Sequence, residues 1–160
     1  MRARRKARFR SETGATLSYL PFIMRAVCDA LLAFPPVNGS IDMASKTMVL
    51  RSYVNLGFAA DLSGNGLIAP VIHDADQLNV RGLAIALKRK ADAARDGKLA
   101  AGDLQGSTFT LTNPPFMSYA SAPIINQPNV AILATDGVAR RPAVVGDAIA
   151  IRHQCILGFS

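Results

Sequence analysis

The chain has 160 residues, of which 50% are hydrophobic and 18% charged, and a formal net charge of +7. That length suits one domain with a sizeable core, and that balance excludes a disordered or solvating tail. No apolar run reaches the ~18–20 uncharged residues a membrane-spanning helix needs; Arg25 and Asp29 interrupt the nearest candidate, Leu17–Phe34.

Taken in chain order, residues 2–13 read as a helix that ends at Gly14. Six of the eighteen basic residues fall in its first ten positions. They suit either an arm for nucleic acid or anionic lipid, or the solvated turns of a surface helix with Phe9 as the inward anchor. The charge beyond Arg10 is close to balanced, and no aromatic residues interleave with basic ones, which argues against a nucleic-acid platform. This basic opening leads to Ser11–Gly14 and not to an apolar segment with a cleavage site, which argues against a secretory signal. Leu17–Phe34 reads as a second helix, with Leu20, Ile23, Val27 and Leu31 on one side and Pro35 and Pro36 as its stop. Asn38-Gly39 marks a turn, followed by β-signals at Ser40–Ile41 and Thr47–Leu50.

Val54–Leu62 and Leu67–Ile72 read as two strands around a Ser63–Gly66 turn, the second apolar on both faces like a strand covered on both sides. Leu78–Arg95 is an amphipathic helix with Leu83, Leu87, Ala91 and Ala94 on one face, capped by Asp76 or Asn79 and ended by Gly97. Ser107–Thr112 is a strand, Asn113–Pro128 a Pro-rich crossing, and Val130–Thr135 another buried strand. Val138–Val145, flanked by Asp136-Gly137 and Gly146-Asp147 turns, leads to a final β-run, Ala148–Ser160. With no internal repeat and no linker, this order predicts a single α/β layer fold with a mixed sheet.

Few constellations in the chain carry chemistry. Gly64-Asn65-Gly66 lacks the lysine and following helix of a phosphate loop and reads as a hairpin turn. Cys28, His73, His153 and Cys155 lack metal-site spacing, and the two distant cysteines point to a reducing compartment. His153 and Cys155, two apart on a strand, offer either a thiol–imidazole pair or unrelated surface and core positions. Asp61 and Thr112 close strands where side chains leave a sheet and can line a cleft. A hydroxyl at Thr112 suits an oxyanion donor; the plain alternative is a strand-end residue bonding locally, with Asp61 a turn carboxylate.

At these residues the chain resembles the catalytic domain of the dihydrolipoamide acyltransferases, the core component of 2-oxo acid dehydrogenase complexes. Four blocks in order carry the resemblance: LSYLPFIMRAV with FPPVNGS (17–40), NLGFAADLSGNGLIAPVIHDADQ (55–77), ARDGKLAAGDLQGSTFTLTN (94–113) and APIINQPNVAILATDGVARRPAVV (122–145). It implies a chloramphenicol-acetyltransferase-like two-layer sandwich, α/β, with helices packed on a mixed sheet. It implies acyl transfer between dihydrolipoamide and coenzyme A, both substrates, with no covalently bound cofactor and no metal. It implies a homo-trimer that builds a larger core, with active sites between subunits. Lipoyl domains and other components of the complex are the implied partners, with no membrane, and the location is the cytoplasm or a mitochondrial matrix.

The same resemblance makes Thr112 the stabiliser of the tetrahedral intermediate and sets Asp61 and Asn113 beside the substrate. The family's general base is the histidine of a D-H-R-x-x-D-G motif that follows the strand matching IRHQCILGFS. His153 precedes that position by about one strand length and does not match it. The loop NPPFMSYASAP also departs from the family's glycine-containing pattern. Residues 1–160 are therefore expected to be a single, incomplete catalytic domain without the first β-element and the histidine motif, nearly inactive alone. The alternatives are a non-catalytic subunit that co-assembles with a full-length acyltransferase and, further off, a basic nucleic-acid-binding protein.

Overall fold

Helix α1 spans Arg2–Thr13 in a computed structural model of the protein, which describes residues 2–62, 66–113 and 121–160. It ends as its sequence predicts: Gly14 has φ +68°, and its N–H donates to the carbonyl of Arg10 at 2.9 Å. Helix α2 is Leu20–Ala33, shorter at its start than the apolar pattern implied. Pro21 sits in its first turn, where a missing N–H costs nothing. The proline pair ends it and forms a short 3₁₀ turn, Pro35–Val37.

Strands β1 (Gly39–Asp42) and β2 (Thr47–Leu50) make an antiparallel hairpin. Asn38 closes that 3₁₀ turn, its N–H donating to the Pro35 carbonyl at 2.9 Å, and β1 begins at the next residue. Asn38 is fully buried, and its amide donates to the carbonyls of Arg51 and Tyr53 at 3.0 and 2.9 Å, closing the base of this hairpin. The expected strand Val54–Leu62 splits into β3 (Leu56–Phe58) and β4 (Ala60–Asp61), and Leu67–Ile72 into β5 (Leu67–Ile68) and β6 (Val71–Ile72). Pro70 explains the second break, because it has no N–H for a ladder. The break in the first run is a change of partner: the β3–β7 ladder ends with the bond from the Ala59 N–H to the Leu111 carbonyl at 3.0 Å, and the next residues, β4, pair with β5 among the described residues. Most of the Ser63–Gly66 turn lies outside the described residues.

Helix α3 is Val80–Arg95, capped by Asn79, whose side chain accepts from the N–H of Gly82 at 2.9 Å. Then come β7 (Phe109–Thr112), β8 (Ile132–Thr135), β9 (Ala139–Val145), β10 (Ala148–Gln154) and β11 (Leu157–Phe159). The expected final β-run is thus two strands. His153 belongs to β10, whereas Cys155 lies past its end, so the two do not share a strand face.

The main sheet has the order β11-β8-β7-β3-β6. Its three central strands, β3, β7 and β8, are parallel, and both outer strands run antiparallel to their neighbours. β6 is an edge in hydrogen bonding, yet Val71 and Ile72 are both buried, as a strand covered on both faces would be; the expectation fails only at β5, where Leu67 is 75% exposed. Helices α2 and α3 cover one face, where Met24, Leu31, Leu83, Leu56 and Leu111 meet in one apolar cluster. Each such side chain contributes about 1.5–3 kcal/mol by leaving water. The result is the α/β two-layer arrangement, with helices on a mixed sheet.

Candidate functional site

In an open sheet of parallel strands, ligands bind beyond the strands' carboxyl ends, where backbone groups and following loops diverge. Here β3, β7 and β8 all point the same way, and a polar residue follows the end of each: Asp61, Asn113 and Asp136. Asp61 and Asn113, far apart in sequence, line one cleft of about 570 Å³, walled by Ser18 before α2 and by Leu87 and Ala91 of α3. A smaller hollow of about 270 Å³ adjoins it and shares Ser18 and Asn113, adding Thr135 and Asp136. Asn113, exposed at the end of its strand, thus borders both spaces.

The charged wall of the larger cleft comes from α1 and α3. Arg10, Lys88 and Arg95 stand against Asp61 and Asp92 among the described lining residues, leaving one net positive charge. Lys88 pairs with Asp92 one helical turn on, and Arg95 bonds the same carboxylate at 3.1 Å. The Lys88 bond holds the Asp92 carboxyl below its ordinary range, so it stays ionised against the modest opposing effect of burial.

Thr112 sits differently. Leu111 enters the apolar cluster under the helices, so by strand alternation Thr112 shares the opposite face with Thr110. It is half-buried and is not among the described residues lining either hollow. Behind it, Thr110 donates to Asn129 Oδ1 at 2.7 Å and accepts from the Asn126 amide at 3.1 Å, which pins the later loop across that face. The structure therefore brings Asp61 and Asn113 together in one cleft, while Thr112, beside Asn113 at the end of β7, belongs to the strand face away from α2 and α3. The loop departure noted at NPPFMSYASAP falls mainly on residues 114–120, outside the described residues.

Two residues that sequence reasoning left out belong here. Thr135 is fully buried, and its Oγ1 lies within long hydrogen-bond reach of Asn113 Oδ1 (3.4 Å) and the Thr112 carbonyl (3.5 Å). Asp136, 2% exposed, accepts from the Ser121 hydroxyl at 2.7 Å, and its carbonyl accepts from the Cys155 thiol at 2.9 Å. A signal was present: Thr135-Asp136 ends its strand as Thr112-Asn113 ends the preceding one, but Asp136-Gly137 reads first as a turn.

Neither histidine approaches the cleft. His73 is exposed, with Nε2 at 3.1 Å from the carbonyl of Gly102, and His153 is exposed on β10 opposite Arg140. Cys28 is buried under the helices, where loss of hydration pushes its thiol up to about 11, so it is no nucleophile at neutral pH.

A family model described as the catalytic domain of the 2-oxoacid dehydrogenases acyltransferase matches residues 1–160. The chain is 40% identical to the dihydrolipoyllysine-residue acetyltransferase component of the pyruvate dehydrogenase complex of Corynebacterium glutamicum, covering 98% of this chain and 24% of that protein. It is 39% identical to the succinyltransferase component of the 2-oxoglutarate dehydrogenase complex of Bartonella vinsonii, covering 100% of this chain and 38% of the relative. The chain thus spans only a quarter to two fifths of these curated relatives' length.

Among solved structures, a probable dihydrolipoamide acetyltransferase from Listeria monocytogenes superposes with a TM-score of 0.91 at 34% identity, covering 99% of this chain and 67% of that one. The cubic core of a pyruvate dehydrogenase multienzyme complex gives 0.90 at 32% identity, covering 99% and 65%. A chloramphenicol acetyltransferase, 14% identical with a TM-score of 0.57 over 97% of this chain and 73% of that one, shares the fold alone. With a family match along its whole length and the parallel-strand core of these catalytic domains, the chain belongs to the 2-oxoacid dehydrogenase acyltransferases.

Proposed function

We propose that this chain is the acyl-transferring part of a 2-oxo acid dehydrogenase complex, moving an acyl group between dihydrolipoamide and coenzyme A. The observation that carries this reading is the meeting of Asp61 and Asn113 in one cleft at the carboxyl ends of parallel strands, in a chain of this family. Its net positive wall suits a substrate that carries phosphates.

In the forward direction the coenzyme A thiol loses its proton and attacks the thioester carbonyl of acyl-dihydrolipoamide. One carbon–sulfur bond forms, the oxyanion is held by a donor, and the other carbon–sulfur bond breaks as the dihydrolipoyl sulfur takes a proton. Thr112 is the oxyanion donor in this reading, a role whose loss costs ~2.7–4 kcal/mol of transition-state stabilisation. Asp61 and Asn113 orient the substrate. In this reading the base that accepts the thiol proton is a histidine other than His73 and His153, neither of which is among the described residues lining the cleft.

Thr112 faces away from the helices, so its side of the site closes against a second copy. A homo-trimer building a larger core fits this, as do the exposed Val144 and Ile149 of the β9–β10 hairpin. Lipoyl domains are then the partners, and the location is the cytoplasm or a mitochondrial matrix, either of which keeps free cysteines such as Cys28 and Cys155 reduced.

The test is acetyl transfer between acetyl-coenzyme A and dihydrolipoamide. The 160-residue chain alone is expected to turn over ~10²–10⁴-fold more slowly than an intact family enzyme, the usual contribution of a general base. Mixing it with a full-length relative that retains the histidine motif but lacks its own strand-end hydroxyl should restore activity, and Thr112→Val should remove that rescue. Normal turnover by the chain alone, or rescue indifferent to Thr112, would refute the assignment.

A further inference from the structure

Thr135 takes no part in the acyl-transfer steps, yet it is buried against a residue that does. The ladder puts it there. Thr112 pairs with Ala134 in the parallel register of β7 and β8, so Asn113 and Thr135 each stand one residue further along. Leu111 lies in the apolar cluster and Leu133 packs against it, so by strand alternation Asn113 and Thr135 share the side of the sheet that the helices cover. Both line the smaller hollow of about 270 Å³, and Asn113 lines the larger cleft as well. Chemistry then fixes the direction of their contact. A hydroxyl has one hydrogen to give, and Asn113 Oδ1 and the Thr112 carbonyl, at 3.4 and 3.5 Å from Thr135 Oγ1, can only accept it. Thr135 therefore holds the oxygen end of the Asn113 amide inward, which turns the nitrogen end towards the cleft. The terminal torsion of an asparagine is broad, so without that partner this exposed amide would present either end.

We propose that Thr135 is a positioning residue, which sets the Asn113 amide so that Nδ2 donates to a carbonyl oxygen on the pantetheine arm of coenzyme A. The proposal rests on the acyl-transfer reading for its substrate. Arg10, Lys88 and Arg95 in the wall of the larger cleft suit the phosphate end of coenzyme A, and Asn113 stands where that cleft passes into the smaller hollow. An arm led from those cations towards the end of β7 passes Asn113 before its sulfur reaches Thr112. Its amide carbonyls are acceptors only, so they need a donor there, and the orientation imposed by Thr135 supplies one.

The test is titration calorimetry of coenzyme A into the 160-residue chain. Thr135→Val, which keeps the shape but cannot donate, should weaken binding roughly fivefold, the effect of about one neutral hydrogen bond. Thr135→Ser should restore it. Asn113→Ala should weaken binding by a similar factor, and Thr135→Val added to it should cost nothing further, because the hydroxyl acts only through the amide. Thermal melts above the assay temperature establish that each variant is folded. In the wild-type chain the Asn113 side-chain NH₂ resonances, assigned by their absence from Asn113→Ala, should shift when coenzyme A is added. That readout does not depend on how Thr135→Val folds. In the rescue assay with the full-length relative, Thr135→Val should raise KM for coenzyme A roughly fivefold and leave kcat and KM for dihydrolipoamide unchanged. The proposal is overturned by no binding, by unshifted resonances, by Thr135→Ser binding no better than Thr135→Val, or by an effect of Thr135→Val that persists without the Asn113 amide. Binding that follows these variants with no rescue of turnover would instead count against acyl transfer and leave the orientation of Asn113 standing.

Discussion

Asp76 and Arg25 lock the approach to α3 onto the rest of the molecule. Asp76 Oδ1 accepts from the buried N–H of Val54 at 2.9 Å and Oδ2 from the Gln77 amide at 2.6 Å, while Arg25 donates to the Asp76 and Leu78 carbonyls at 2.7 and 2.9 Å. Burial alone would raise the Asp76 carboxyl, but these hydrogen bonds and the charge of Arg25 outweigh it and hold the group below its ordinary value. A carboxyl depressed on folding stabilises the native state fully above its unfolded value, near ~4, and loses that contribution as pH falls through the folded value. Asp76→Ala is therefore expected to lower stability at pH 7 by about 1–3 kcal/mol, because the Val54 N–H loses its acceptor. Its urea midpoint should also fall less steeply below about pH 4 than that of the wild type. Parallel pH profiles would refute the role. At this scale the candidate site was half legible. Asp61 and Asn113 stood out because polar residues closed apolar strands, whereas Asp136 was hidden by the turn chemistry of the glycine beside it, and the side of the sheet that Thr112 faces depended on partners the sequence does not name.

The three helices were legible because a 3.6-residue period and local caps define them without distant partners. Asn79 is the clearest case, and Asn79→Ala is expected to cost about 1 kcal/mol in chemical denaturation while Asn79→Asp costs little; equal losses would show that the side chain's bond to Gly82 is incidental. The short strands were less legible in their limits than in their existence. Alternation marks a strand but not its partner, and a strand ends where its ladder ends. β3 stops after its last bond to β7, from Ala59 to the Leu111 carbonyl, because Ala60 and Asp61 pair with β5 instead, and the run from Ala148 breaks at Cys155 because β10 pairs with β9 while β11 pairs with β8. Asn38 illustrates the same limit: a residue that marks a turn is also a buried clamp, because the carbonyls of Arg51 and Tyr53, in the segment between β2 and β3, converge on it.

For the whole molecule, the β9–β10 hairpin stands out from the layered body. Val144 pairs with Ile149 and Pro142 with Ile151 on one face, with Val144 78%, Ile149 80% and Ile151 60% exposed. So large an apolar ribbon favours association. The chain is expected to self-associate in sedimentation velocity as its concentration rises, and a Val144→Ser, Ile149→Ser, Ile151→Ser variant to stay monomeric with an unchanged circular dichroism spectrum. A variant that associates as readily as the wild type would move the contact elsewhere. The order of the central strands also constrains how the molecule is made. β3 lies between β6, which follows it closely in the chain, and β7, which comes only after α3. During synthesis the β3–β6 pair can form at once, but the other edge of β3 waits until Phe109–Thr112 has left the ribosome, roughly a few seconds later. Through that interval a buried apolar strand lacks the neighbour on one edge, so the nascent chain is most exposed to misassembly just before the two sides of its cleft first meet.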